Sequence, residues 1–171
     1  GELCGKCAAK AAAFVRFCDS FSLPVISLVD TCGFKKDSCI AGAAGLSAAY
    51  ADATTAKVTV YTGKAIGAAG IAFGNADLRI AWPTAVISAL DPEAAVEFFW
   101  HDKLKGAEDL DARRTQLAEE YAETEASPYQ AASAGMVDDV IAPAATRSAL
   151  IAGLDALASK RVSRLPKKHS C

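Results

Sequence analysis

Residues 57–70 read KVTVYTGKAIGAAG, a β-branched run followed by a turn of small residues. The run from Lys57 to Tyr61 is typical of a buried parallel strand, and we expect Thr62–Gly70 to lead the chain into a short apolar helix. In open α/β sheets the ligand-binding crevice lies beyond the carboxyl ends of the strands. This turn is therefore the first place to look for a functional site.

Three small residues of the turn, Gly67, Ala68 and Ala69, leave their backbone N–H groups unshielded where a helix begins. Such amides bind a negatively charged oxygen, and one donor aimed at a developing oxyanion lowers a reaction barrier by roughly 2.7–4 kcal/mol. The alternative is that the small residues only permit close packing of the strand on the helix. The turn alone leaves both interpretations open.

Strands and helices alternate on both sides of this stretch. The chain before it predicts a helix over 7–21, a strand over 25–29 that ends at Asp30, and a helix over 40–53. The chain after it predicts strands over 78–82 and 85–88, and helices over 93–104, over 109–125, from 128 onward and over 146–160. This alternation predicts an α/β fold with a largely parallel sheet flanked by helices.

Length and composition predict one domain, since 171 residues with 52% hydrophobic content can bury a core. We expect residues 1–160 to form it, followed by a basic tail over 161–171, because five cations and no carboxylates lie from Lys160 to the end. The net charge of −2 gives no general attraction to nucleic acid. No apolar run is long enough to cross a membrane and no secretory signal is present, so we expect a cytoplasmic protein without direct membrane insertion.

Side-chain catalysts are scarce in this sequence. Its two histidines, His101 and His169, have no neighbouring serine or cysteine motif, which argues against a hydrolytic triad. The carboxylates of residues 108–125 are expected to form a solvated helix face. The pattern thus favours backbone chemistry over side-chain acid–base chemistry.

The cysteines include one motif, the C-x-x-C pair of Cys4 and Cys7 at the start of a predicted helix, where the helix dipole favours a thiolate. A zinc ion would need two further ligands, and Cys18, Cys32 and Cys39 lack matching spacing. We therefore predict no metal site and leave a redox role open. Six cysteines are too few for a disulfide scaffold.

Several longer stretches resemble one known family, in the family's order and over nearly the whole chain. They are FVRFCD at 14–19, LPVISLVDTCGF at 23–34, AYADATTAKVTVYTGKAIGAAG at 49–70, AWPTAVI at 81–87, SPYQAASAGMVDDVIAPAATRSALI at 127–151 and SKRVSRLPKKH at 159–169. The sequence is similar to the C-terminal domain of biotin-dependent acyl-CoA carboxyltransferases, such as the propionyl-CoA carboxylase beta and methylmalonyl-CoA decarboxylase alpha subunits. The resemblance implies a ClpP/crotonase-like ββα superhelix.

The resemblance also implies a function and a set of site residues. Family members hold the ureido oxygen of biotin on backbone amides that match Gly67, Ala68 and Ala69, which are thus the implied catalytic residues. Gly33 and Phe34 match a turn that borders the biotin pocket, and Gly70 and Ile71 match positions that help to select the acyl chain. The implied reaction moves a carboxyl group between carboxybiotin and an acyl-CoA.

The implied partners are a biotin carrier protein and an N-terminal carboxyltransferase domain that binds the acyl-CoA, in a homo- or hetero-oligomer. The chain departs from the family pattern at Cys32, where the family has proline, at Ala68, where it has glycine, and at Gly70, where it has tyrosine. The segment between Phe34 and Ala53 is also short for the family. Two alternatives therefore stay open: a non-catalytic structural or acyl-CoA-binding subunit, and a biotin-independent acyl-CoA decarboxylase or isomerase.

Overall fold

The computed structural model describes residues 1–36, 39–107, 109–160 and 162, and a parallel sheet lies at its centre. The strands are β1 (Glu2–Leu3), β2 (Val25–Thr31), β3 (Gly33–Phe34), β4 (Lys57–Ile66), β5 (Leu78–Ala81), β6 (Val86–Ser88) and β7 (Asp139–Val140). Four strands are hydrogen-bonded in the order β2-β4-β5-β7, and β6 pairs with the second half of β4. All of these pairings are parallel, so the predicted α/β fold with a largely parallel sheet is confirmed.

Helices cover both faces of this sheet. They are α1 (Gly5–Ser20), α2 (Cys39–Asp52), α3 (Gly67–Phe73), α4 (Pro92–Phe99), α5 (His101–Leu104), α6 (Leu110–Thr124), α7 (Pro128–Ser133) and α8 (Thr146–Leu157), with a 3₁₀ turn at Pro143–Ala145. On one face, Val58, Val60 and Ile80 pack against α8. On the other, the Thr59 hydroxyl donates to the carbonyl oxygen of Phe73 at 2.7 Å and so ties α3 to β4.

Strand β4 is longer than the sequence predicted. An end at Tyr61 was expected, whereas the strand continues through Lys64–Ile66 because that segment pairs with β6, and Ala65 also lies opposite Thr31 of β2. The turn therefore shrinks to the junction between β4 and α3, and the helix begins at Gly67. The predicted turn over Thr62–Gly70 is wrong in its extent.

A second small sheet was not predicted. Strands β1 and β3 pair in parallel, with Glu2 opposite Gly33 and Leu3 opposite Phe34. The N–H of Lys35 donates to the carbonyl oxygen of Leu3 at 2.9 Å. A strand of two residues is too short to show a periodic pattern, so these two strands could not be predicted from the sequence. The start of the chain thus lies along the Gly33–Phe34 turn.

Two predicted helices differ from the structure, one by an interruption and one by an earlier end. The helix expected over 93–104 is interrupted at Trp100, whose φ of −116° and ψ of 21° are not helical. The Trp100 ring packs edge-on against Tyr121 of α6, with 5.3 Å between ring centroids, and this tertiary contact separates α4 from α5. Helix α8 ends at Leu157, while the ammonium group of Lys160 donates to the Thr55 carbonyl and the Asp77 carboxylate. The predicted basic tail over 161–171 lies outside the described residues except for Val162.

One carboxylate joins α1 to the loop before β4. Asp19 accepts hydrogen bonds from the N–H of Thr54 at 2.6 Å, the Thr54 hydroxyl at 3.1 Å and the N–H of Thr55 at 2.9 Å. Partial burial raises the pKa of Asp19, but these hydrogen bonds and the charge of Lys57 outweigh it. The net pKa of Asp19 lies below its usual value.

Replacing this carboxylate, Asp19→Ala, should lower the free energy of unfolding at neutral pH by about 1–2 kcal/mol, because two backbone donors lose their acceptor. A folded-state pKa below the unfolded one stabilises the protein above the unfolded pKa, and this stabilisation disappears as the pH falls through the folded pKa. Urea unfolding measures the free energy of unfolding of wild type and variant at neutral and at acid pH. The difference between the two proteins should become smaller at acid pH. The exposed Asp102→Ala is the control and should change stability little. If Asp19→Ala lowered the free energy of unfolding equally at every pH, the charge of the Asp19 carboxylate would not be the source of the stabilisation.

Candidate functional site

The first element of the site is the amide turn at the start of α3. Ile66 precedes the helix in an extended conformation, and Gly67 reverses the chain with a φ of +61°, a left-handed value that favours glycine. Among the described residues, none accepts a hydrogen bond from the N–H groups of Ala68 or Ala69. Ala68 is half-buried, so its N–H group remains available to an acceptor from outside the chain, whereas Ala69 is fully buried.

The second element is the turn at Gly33–Phe34, which the fold brings next to the first. Gly33 has a φ of +116°, and a Cβ at this position would lie 3.6 Å from the carbonyl oxygen of Ile66. The Phe34 ring is buried and lies against Gly42 of α2. Two turns more than thirty residues apart in sequence thus meet at the amino end of α3.

The alanine side chains of the turn point away from this site. Ala69 is fully buried in the core cluster formed with α1 and α2, and Ala68 packs against the same cluster. Both methyl groups therefore serve the core, and the amide interpretation is compatible with this packing at Ala68, whose N–H stays unpaired in a half-buried residue.

The third element is a cavity of about 350 Å³ beside the turn. Its wall is mainly apolar and includes Gly67, so the cavity reaches the amide turn. Ile71 lies on the wall with 73% of its surface exposed. A Cβ at Gly70 would lie 2.8 Å from the carbonyl oxygen of Ala65, so only glycine allows α3 to approach β4 this closely. The other lining residues are Tyr61, Ala65, Gly74, Arg79, Ile87, Ser88, Ala89 and Met136.

Two polar groups of the cavity wall are held in fixed charge states. The Arg79 guanidinium donates to both carboxylate oxygens of Asp138, at 3.1 and 2.8 Å, and this pairing lowers the pKa of Asp138. Burial raises the pKa of the Tyr61 phenol, partly offset by the charge of Arg79. The cavity therefore presents a neutral hydroxyl and a paired cation to a mainly apolar space.

Comparison with known proteins shows which family this chain belongs to. The carboxyl transferase domain family matches residues 1–171. The chain belongs to the carboxyl transferase domain family. It is 46% identical over 170 residues to the carboxyltransferase subunit of propionyl-CoA carboxylase from Haloferax mediterranei, covering 94% of this chain and 33% of that protein. It is 41% identical over 170 residues to the 12S subunit of methylmalonyl-CoA carboxyltransferase from Propionibacterium freudenreichii, covering 94% and 32%.

Solved structures agree with this assignment. The chain superimposes on transcarboxylase 12S, crystallised with methylmalonyl-CoA and methylmalonic acid, with a TM-score of 0.87 and 39% identity, covering 99% of this chain and 35% of that one. The fold also matches the beta subunit of Pseudomonas aeruginosa geranyl-CoA carboxylase, with a TM-score of 0.77 and 23% identity, covering 94% and 33%. The predicted crotonase-like fold is confirmed. This carboxyl transferase domain spans about a third of the length of the relatives it matches.

Sequence reasoning missed one residue that positions the amide turn of this carboxyl transferase domain. The Asp30 carboxylate accepts the N–H of Lys64 at 2.9 Å and occupies the space where a Cβ of Gly63 would stand. It thereby directs the second half of β4 toward the turn. The Lys64 ammonium in turn lies 3.5 Å from the carboxylate of Asp91. An aspartate directly after a predicted buried strand was the available signal.

The other predicted candidates lie away from the amide turn. His101 is exposed, with 3.9 Å between its Nδ1 and the Glu97 carboxylate. Carboxylates of α6 form surface ion pairs such as Glu120 with Lys103, as expected for a solvated face. In the part of the chain that the structure describes, no group of three or more His, Cys, Asp or Glu side chains is arranged to hold a metal ion. His169 lies outside the described residues, and no described helix is long and apolar enough to cross a membrane.

Gly67→Ala should lower the free energy of unfolding by about 1 kcal/mol, because alanine is strained at the left-handed φ of +61°. Gly45→Ala is the matched control: this glycine lies inside α2 and a Cβ there would meet nothing within 4 Å. It should stabilise the protein by about 0.5–1 kcal/mol through helix propensity. Urea unfolding measures the free energy of unfolding of both variants. An equal change in the two variants would contradict strain at position 67.

Proposed function

We propose that this chain supplies the biotin-facing half of a carboxyltransferase, which moves a carboxyl group between biotin and an acyl-CoA. The observation that supports this most directly is the meeting of two turns at the amino end of α3, with the unpaired N–H of half-buried Ala68, in a member of the carboxyl transferase domain family. A hydrogen bond from the Ala68 N–H to another part of the chain would have removed the basis for it.

The site residues fit the chemistry of the ureido group. Biotin, when bound, supplies or accepts the carboxyl group through its ureido ring. The amides of Gly67, Ala68 and Ala69 are assigned to the ureido oxygen, on which negative charge develops during transfer. The backbone of Gly33 and Phe34 is assigned to the border of the biotin pocket. Backbone donors in a rigid turn stabilise this charge without reorganising, which is what such a reaction requires.

The apolar cavity is assigned to the acyl chain. Gly70 and Ile71 act as the substrate-selecting residues, because both lie on the wall, where glycine at position 70 lets α3 lie close to β4. A mainly apolar wall favours an acyl-CoA with an apolar acyl chain, since burial of such a chain is favourable and burial of a charged chain is not. No metal takes part in this proposal.

The proposed partners follow from the portion of the relatives that the chain spans. An N-terminal carboxyltransferase domain would bind the CoA, and a biotin carrier protein would deliver biotin, in a homo- or hetero-oligomer in the cytoplasm. Residues 1–160 act as one domain in this assembly. Exposed aromatic and aliphatic side chains on α1, at its end and on β2 support association with another chain. They are Phe14, Phe17, Phe21, Ile26 and Leu28.

The test reconstitutes this assembly. The purified chain is mixed with the N-terminal half of a related carboxyltransferase and a biotinylated carrier, and decarboxylation of malonyl-CoA or methylmalonyl-CoA is followed. We expect activity that requires all three components. Absence of activity in every such mixture would count against the proposal.

A biotin titration separates the proposal from its alternatives. Hydrogen exchange at Ala68 should slow on binding, because biotin accepts its free N–H group. Unchanged exchange, with no activity, would favour a non-catalytic structural or acyl-CoA-binding subunit. Activity without the biotinylated carrier would indicate a biotin-independent decarboxylase or isomerase.

A further inference from the structure

The C-x-x-C pair has no part in the proposed reaction, yet its geometry is suited to thiol chemistry. The Sγ atoms of Cys4 and Cys7 lie 2.8 Å apart, and Cys4 caps α1 by accepting the N–H of Cys7 at 3.3 Å. Cys7 is exposed and Cys4 is partly exposed. A small-molecule disulfide can therefore reach both sulfurs, and the two sulfurs can reach each other.

The surroundings of Cys4 favour its thiolate form. Hydrogen bonds from the Cys7 side chain and then from the Cys7 N–H lower the pKa of the Cys4 thiol, and the charge of Lys35 adds to this effect. A cysteine at the N-cap of a long helix also gains from the helix dipole. Cys4 thus holds a larger thiolate fraction at neutral pH than an ordinary cysteine.

Cys4 directly follows β1, the strand that lies along the Gly33–Phe34 turn. The carbonyl of Gly1 accepts the N–H of Cys32 at 3.2 Å, and that of Leu3 accepts the N–H of Lys35 at 2.9 Å. A strand of two residues holds few hydrogen bonds and opens easily. A covalent bond from Cys4 to α1 would restrain the end of this strand.

We propose that Cys4 and Cys7 form a reversible dithiol–disulfide couple, whose oxidised form holds β1 against the turn at Gly33–Phe34. The oxidant is a low-molecular-weight disulfide. The Cys4 thiolate attacks one of its sulfurs, forms a mixed disulfide and releases one thiolate. The Cys7 thiol loses its proton, attacks the Cys4 sulfur and releases the second thiolate. Two electrons pass from the protein to the disulfide, and excess small thiol reverses the sequence.

Bond mapping tests the couple. The full reduced chain is incubated with oxidised glutathione, quenched with acid, and its disulfides are mapped by peptide mass spectrometry, then treated with reduced glutathione. We expect a Cys4–Cys7 bond with a mass loss of about 2 Da, reversed by the reductant. Cys7→Ser should instead stop at a glutathione adduct on Cys4. Failure to form the Cys4–Cys7 bond, or a Cys4–Cys32 bond in its place, would overturn the couple.

Amide exchange tests the effect on the strand. The N–H groups of Cys32 and Lys35 should exchange at least about threefold more slowly in the oxidised protein than in the reduced one. Cys4→Ser is the matched control, because serine keeps the helix cap but forms no disulfide, and oxidant should not change its exchange. Equal exchange in the oxidised and reduced protein would overturn the restraint. Neither readout uses carboxyl transfer, so a negative result for this inference leaves the proposed function unaffected, and the reverse also holds.

Discussion

Ala68→Pro is expected to lower the rate of carboxyl transfer in the reconstituted assembly by about a hundredfold to a thousandfold. Proline removes one backbone N–H, and loss of a single oxyanion donor has an effect of this size. Ala68 is in the first turn of α3, where proline's fixed φ is tolerated and its missing N–H leaves no described acceptor without a donor. The loss should appear in kcat, since the charge develops during the reaction.

The control for this variant is Ala68→Gly, which keeps the N–H and removes only the methyl group packed against the core. It should retain most of the activity of the wild type. Thermal unfolding of both variants shows whether proline has disturbed the fold. If the folded proline variant transfers carboxyl groups as fast as the glycine variant, the Ala68 N–H is not an oxyanion donor.

Ile71→Asp is expected to lower kcat/KM for an acyl-CoA with an apolar chain by about tenfold to a hundredfold. The side chain lies on the wall of the cavity assigned to the acyl group, and a carboxylate there replaces an apolar contact with a charge that must be desolvated. The loss should grow with acyl length, so acetyl-CoA, propionyl-CoA and butyryl-CoA form the test series. Because Ile71 is 73% exposed, the fold should tolerate the change.

Ile71→Val is the matched control and should change the selectivity only slightly, since it removes one methylene group. The Ile40→Asp variant adds the same charge at another exposed isoleucine, 87% exposed on α2 and absent from the cavity wall. It separates a general charge effect from a local one. If Ile40→Asp lowered kcat/KM as much as Ile71→Asp, or if the loss in Ile71→Asp did not depend on acyl length, Ile71 would not select the acyl chain.

Most of the secondary structure could be read from local patterns. Strands β2 and β4 consist of β-branched runs, and helices α1 and α2 have apolar residues at helical spacing, so their existence and order follow from the sequence. The predicted ends of strands and helices were wrong where a tertiary contact extended or interrupted an element. Strand β4 passes Tyr61 because β6 supplies a partner, and the helix predicted over 93–104 breaks where Trp100 packs on Tyr121.

The candidate site shows the same division. The small residues of Gly67–Ala69 mark a helix start, which can be inferred from residue type, whereas the turn alone left open whether they serve as amide donors or only permit packing. The role of Asp30 could not, because it depends on the meeting of β2 with the second half of β4. The cavity also depends on tertiary packing, since its walls come from segments between Tyr61 and Met136.

Residue order and residue type thus established the family, the parallel α/β architecture and the amide turn, because strand and helix propensities and the small side chains act locally. Long-range packing established how Gly33 comes to lie beside Ile66, which amides stay unpaired, and how wide the apolar cavity is. These features depend on distances between segments far apart in the chain. No local preference encodes such distances, and they exist only once the core has closed.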